Sequence, residues 1–77
     1  MMHVYTRITS GRIKQLRIGS DFTEEQLAYE LVCDVEKVKD LEAGKCSPTA
    51  DDLIRMSRLF DVSTDFLLGV SNDLKGV

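Results

Sequence analysis

Apolar residues recur along the chain at three- and four-residue intervals. Ile13 and Leu16 stand three apart. Leu27, Ala28 and Leu31 follow the same rhythm, as do Val38 and Leu41, and Leu53, Ile54, Met56, Leu59 and Phe60 form a longer stripe. One apolar stripe per turn marks an amphipathic helix. No segment alternates apolar and polar residues as a half-buried strand would, and no Asn-Gly or Asp-Gly hairpin signal occurs. The pattern predicts an all-α chain of five short helices, over about residues 10–18, 24–31, 35–43, 50–60 and 64–68.

Four of the helix starts carry one device. Thr23 is placed to cap the second helix, Gln26 stands in the capping-box position, and Phe22 and Leu27 flank them as a hydrophobic staple. Asp34 has the same frame between Cys33 and Val38, Thr49 between Pro48 and Leu53 with Asp52 in the box position, and Ser63 between Val62 and Leu67. Each cap satisfies amides that a first helical turn leaves unpaired. The first helix is less clearly marked: Thr9 or Ser10 could cap it, while Gly11 weakens its first turn. Gly44 to Pro48 is the most loop-like interior stretch. The expected division is an N-terminal arm over 1–8, a helical domain over 9–69 and a short C-terminal tail over 70–77.

Length and composition narrow the function. With 77 residues, 43% of them hydrophobic and 30% charged, the chain has the make-up of one globular domain with a modest core. That is too short for a barrel or doubly wound enzyme. No apolar run approaches the ~18 residues of a membrane span. Met1 to Ser10 also lacks the apolar stretch of a signal peptide. Cys33 and Cys46 are too few to staple a small secreted domain, so a reducing cytoplasm is the expected setting. Cys46, in the loop before Pro48, is expected on the surface. His3 has no partner at metal spacing and builds no catalytic set, and Gly44-Lys45 lacks the glycine spacing of a phosphate loop. The expectation is a chain that is not an enzyme, with no cofactor, metal, membrane or small-molecule substrate.

The second and third helices are the informative pair. The former ends near Leu31 and Asp34 caps the latter, so the two must cross steeply, as in a helix-turn-helix. The third helix then turns Val35, Glu36, Lys39, Asp40 and Ala43 outward and Val38 and Leu41 inward. Periodicity alone favours an ordinary helical bundle, two packed helices with a solvated face, over a helix-turn-helix.

Four stretches add to this. Residues 9–69 resemble the Cro and phage-repressor type (XRE-like) helix-turn-helix family, in the lambda-repressor-like fold. The likeness rests on Arg12-Ile13-Lys14-Gln15-Leu16-Arg17, on Phe22-Thr23-Glu24-Glu25-Gln26-Leu27-Ala28, on Val38 to Lys45 with Ser47-Pro48, and on Phe60 to Gly69. The resemblance implies a compact five-helix DNA-binding domain of a transcriptional regulator, with the third helix in the major groove. It implies base reading by Val35, Glu36, Lys37 and Asp40. Phosphate contacts would come from Arg12, Lys14, Thr23, Lys39, Lys45 and Thr49. It further implies an ion pair between Arg17 and Glu42, double-stranded DNA as partner, and a homodimer whose seam draws on Phe66, Leu68 and Val70.

The chain departs from that pattern in three ways. Glu24 stands where the family often has a phosphate-contacting Gln. Val32 stands where the family has Gly in the turn, so the turn either takes another backbone route or carries about 1–2 kcal/mol of strain. Glu36 and Asp40 put carboxylates on the reading face. The net charge of −3 is unevenly spread: residues 1–22 carry four cations and one anion, residues 23–47 three and seven. Carboxylates beside a polyanion weaken binding, yet they can accept from cytosine N4. These three acids favour an alternative, a protein-interaction module that keeps the fold without binding DNA.

Overall fold

The computed structural model describes residues 4–70 and Asn72. Five helices follow in order: α1 (Val4–Gly19), α2 (Glu24–Leu31), α3 (Val35–Ala43), α4 (Ala50–Phe60) and α5 (Thr64–Leu68). Helices α2 to α5 have the bounds that the apolar spacing and caps predict. Their predicted stripes converge on one core of Ile13, Leu27, Leu31, Val38, Leu41, Met56 and Leu67, all buried.

The starts are capped as their sequences dictate. Thr23 Oγ1 accepts from the Gln26 amide at 3.0 Å, and Gln26 Oε1 accepts from the Thr23 amide at 2.8 Å. Thr49 and Asp52 repeat this reciprocal pair at 3.1 and 2.9 Å. Ser63 Oγ accepts from the Phe66 amide at 3.0 Å. Asp34 is the exception: its backbone is extended as an N-cap should be, but its side chain makes no capping hydrogen bond.

The stops share one geometry. Each helix is followed by a left-handed residue: Asp21, Val32, Gly44, Asp61 and Gly69. The next amide then reaches back five residues, as in Phe22 to the Arg17 carbonyl and Cys33 to that of Ala28, both 3.0 Å. This bond satisfies a carbonyl that the last turn leaves free. Val32, at φ 57° and ψ 52°, is the strained member, because a β-branched side chain disfavours that region. Of the two routes open to the turn, the chain takes the strained one.

Helix α1 begins earlier than expected. Thr9 and Ser10, read as alternative caps, lie inside the helix and are buried. Ser10 Oγ donates to the Arg7 carbonyl at 3.1 Å, so its hydroxyl is satisfied without a helix start. Residues 4–8, expected as part of an arm, are helical. Ile8 packs on Gly69, where an added Cβ would come within 2.8 Å of the Ile8 side chain. Tertiary packing against α5 thus extends the helix beyond its sequence signal. His3 lies outside the described residues, as does most of the expected tail.

Candidate nucleic-acid interface

Helix α3 is gripped from both sides. Val38 and Leu41 sink into the core. Near its C-terminal end, Glu42 receives Arg17 of α1 in a two-bond fork: Nε to Oε2 at 2.6 Å and Nη2 to Oε1 at 3.1 Å. Arg17 Nη1 also donates to the Phe22 carbonyl at 3.0 Å, tying the α1–α2 loop to the same guanidinium. The two charged side chains are only 13% and 6% exposed. The hydrogen bond that Arg17 donates to Glu42 raises the Arg17 pKa above its ordinary value against the opposing effect of burial, and Glu24 and Glu25 add attraction.

The other grip was not visible in the sequence. Lys37 Nζ lies 2.8 Å from Asp52 Oδ2, where the Asp52 side chain is 5% exposed. Asp52 is the box residue of α4, so one carboxylate caps α4 and anchors α3. Burial alone would raise the Asp52 pKa; the Lys37 ammonium and the Thr49 amide and hydroxyl outweigh it and hold the value below the ordinary 3.8. The hydrogen bond to Asp52 correspondingly raises the Lys37 pKa. The box position announced that Asp52 would cap α4, but no sequence signal named its partner across the helices. Lys37, expected among the base readers, has its ammonium engaged by a buried carboxylate here.

The outward side of α3 is different. Glu36 and Lys39 are 77% and 50% exposed and meet only at 3.9 Å. Val35 is half-buried against the core and Asp40 half-buried on the same outward stripe. Around α3, Lys14, Thr23, Lys45 and Thr49 are exposed. The Thr23 and Thr49 hydroxyls accept the capping bonds described above, at the starts of α2 and α4.

Arg12 is turned elsewhere. Its guanidinium donates to the Phe66 carbonyl and, at 2.9 Å, to Asn72 Oδ1, and it lies 4.1 Å over the centre of the Phe66 ring. Arg12, expected to contact a phosphate, thus clamps α1 to the end of α5 here. Phe66 is in turn packed within its own chain, half-buried like Leu68, while Val70 is 68% exposed.

Cys33 and Cys46 are free thiols, both half-buried against the core. Cys46 is thus less exposed than its loop position suggested. Burial raises the Cys33 pKa despite the nearby Lys37 charge, which favours the unreactive thiol. Among the described residues, no three His, Cys, Asp or Glu side chains are grouped to hold a metal ion. Nor, among them, is any helix long and apolar enough to cross a membrane.

A helix-turn-helix family model matches residues 13–67. The uncharacterized HTH-type transcriptional regulator YobD of Bacillus subtilis (strain 168) is 37% identical over 62 residues, 80% of this chain and 55% of its own length. The HTH-type transcriptional activator BcrR of Enterococcus faecalis is 37% identical over 57 residues, 74% of this chain and 28% of its own. The HTH-type transcriptional regulator ImmR of Bacillus subtilis (strain 168) is 33% identical over 58 residues, 75% of this chain and 46% of its own. The chain thus spans about half the length, or less, of these curated relatives. No solved structure matches it.

Proposed function

The chain belongs to the helix-turn-helix family of the Cro and phage-repressor type, a family of transcriptional regulators, and from that premise we propose that it regulates transcription by sequence-specific reading of duplex DNA. In this reading α3 enters the major groove and presents its N-terminal half to base edges. Val35, Glu36 and Asp40 face the bases, and Lys39 reaches a flanking phosphate. Lys14 and Lys45, with the exposed starts of α2 and α4 at Thr23 and Thr49, complete the phosphate contacts. Lys37 and Arg12 support these elements from within the fold.

The observation that carries the reading is the family match over residues 13–67, which takes in both helices of the motif and the packing beneath them. Few cations remain for one subunit, so useful affinity requires two copies on a two-fold site, with half-sites one helical turn apart, about 34 Å. Leu68 and the exposed Val70 beyond α5, with Phe66, are the seam this reading assigns to the homodimer. The site of action is the cytoplasm, where the DNA lies.

A second reading has one observation in its favour: the most exposed charge on α3 is the carboxylate of Glu36. An interaction module that keeps the fold would tolerate that acid without difficulty. Selection from a random-sequence DNA pool at low and moderate salt separates the two. Enrichment of a two-fold symmetric motif supports DNA reading. Absence of enrichment even at low salt leaves the interaction module.

A further inference from the structure

We propose that Glu36 makes this protein a reader of cytosine: its carboxylate accepts from the exocyclic N4 amine of one cytosine in each half-site. The inference rests on the DNA-reading function proposed above and specifies the base chemistry of that site.

Three observations lead to it. Glu36 is the second residue of α3, in the turn that a recognition helix offers to base edges. Its side chain is 77% exposed, and the neighbouring cation Lys39 stands 3.9 Å away and is itself half exposed. Such a loose surface pair holds neither partner firmly, so Glu36 can turn to a base while Lys39 turns to a phosphate. Lys37, the cation adjacent in sequence, is held by Asp52 at 2.8 Å. The first turn of α3 therefore offers the groove an acceptor, with Lys37 engaged elsewhere and Lys39 only loosely paired to it.

The groove chemistry then selects the base. An ionised carboxylate only accepts hydrogen bonds. Guanine presents N7 and O6, and thymine presents O4 beside its methyl group. These are acceptors and repel it. Adenine offers the N6 amine, but its N7 acceptor lies beside that amine and faces the second carboxylate oxygen. Cytosine offers the N4 amine with its own C5–H on one side, so that only the partner guanine's O6 lies beside it, whereas adenine N6 has acceptors on both sides, N7 and the partner thymine's O4. Cytosine is the base whose amine meets the carboxylate with the fewest repulsive neighbours.

The chemistry also fixes what a single-atom exchange should do. In Glu36→Gln the side chain gains a donor while keeping its length, and a glutamine pairs with adenine through N6 and N7 together. The test is selection of bound duplexes from a random-sequence pool by the full chain, by Glu36→Gln and by Glu36→Ala, followed by affinity measurement on single-base variants of the selected site. The native chain is expected to require cytosine at one position per half-site, with replacement weakening binding about 5- to 150-fold. Glu36→Gln should move that position to adenine, and Glu36→Ala should lose the preference there while keeping it elsewhere. A motif whose base choices are identical in all three proteins overturns the assignment to Glu36 alone. A pool that enriches no motif with any of them overturns both the assignment and the DNA-reading function beneath it.

Discussion

The two sides of α3 use the same kinds of residue to opposite ends. On the inner side, Arg17 meets Glu42 and Lys37 meets Asp52, at 2.6 and 2.8 Å, with three of the four side chains at most 13% exposed. On the outer side, Glu36 and Lys39 stand 3.9 Å apart and are 77% and 50% exposed. Burial decides the difference. A charge removed from water needs a close, well-oriented partner, and taking one partner away leaves the other stranded. A solvated pair contributes little to stability and is free to be re-used. The inner pairs fix where α3 lies; the outer one leaves it something to offer.

Substitutions can break this contrast. Glu42→Ala strands Arg17 beside the core and removes both bonds of the fork. It should lower stability by about 2–3 kcal/mol in a urea melt. Asp52→Asn keeps the shape but loses the charge that anchors Lys37 and strengthens the α4 cap, a loss of about 1–2 kcal/mol. Its pH profile should change as well. The Asp52 pKa is depressed in the fold, so its contribution is present above the ordinary value of 3.8 and disappears as pH falls through the lower folded value. The native protein should therefore lose stability in that acid range more steeply than Asp52→Asn. The Lys37 pKa is raised, so that partner's contribution holds below its ordinary 10.5 and is lost only as pH rises through the folded value.

Val32→Gly sharpens the comparison at the turn that feeds α3. Val32 is 75% exposed and left-handed, so little packing is lost and the strain is relieved. Thermal unfolding should show a gain of about 1 kcal/mol. The smallest effect belongs to Glu36→Ala, whose melting curve should overlay the native one. A clear destabilisation there would mean that the outer side is structural after all.

The fold was legible where local chemistry and tertiary packing agree. Thr23, Thr49 and Ser63 cap the helices their surroundings require, and the apolar stripes of α2 to α4 point to the observed core. The stops were harder, since only Gly44 and Gly69 announce a left-handed residue, while Val32, Asp21 and Asp61 adopt one under the demands of the next element. Thr9 and Ser10 misled because a hydroxyl can bond back within a helix as well as cap it, and the packing of Ile8 on Gly69 has no counterpart in local pattern. At the candidate site, the outward placement of Glu36 and Lys39 followed from helical spacing. The partners of Lys37 and Arg12 did not. Lys37 meets Asp52 fifteen positions along the chain, and Arg12 meets Phe66 fifty-four positions along. A single chain carries no signal for contacts at those separations beyond the charges themselves.

The central claim is the division of labour on α3, and salt tests it most directly. Affinity for the selected duplex should be measured from about 50 to 200 mM salt for the native chain, Lys39→Ala and Lys37→Ala. Each phosphate contact contributes about 0.9 to the slope of log affinity against log salt. The native slope should reflect the phosphate-paired cations of both subunits, Lys39→Ala should reduce it by about two contacts, one per subunit, and Lys37→Ala should leave it unchanged while lowering stability. Equal slopes for the native chain and Lys39→Ala, or a reduced slope for Lys37→Ala, would contradict the account.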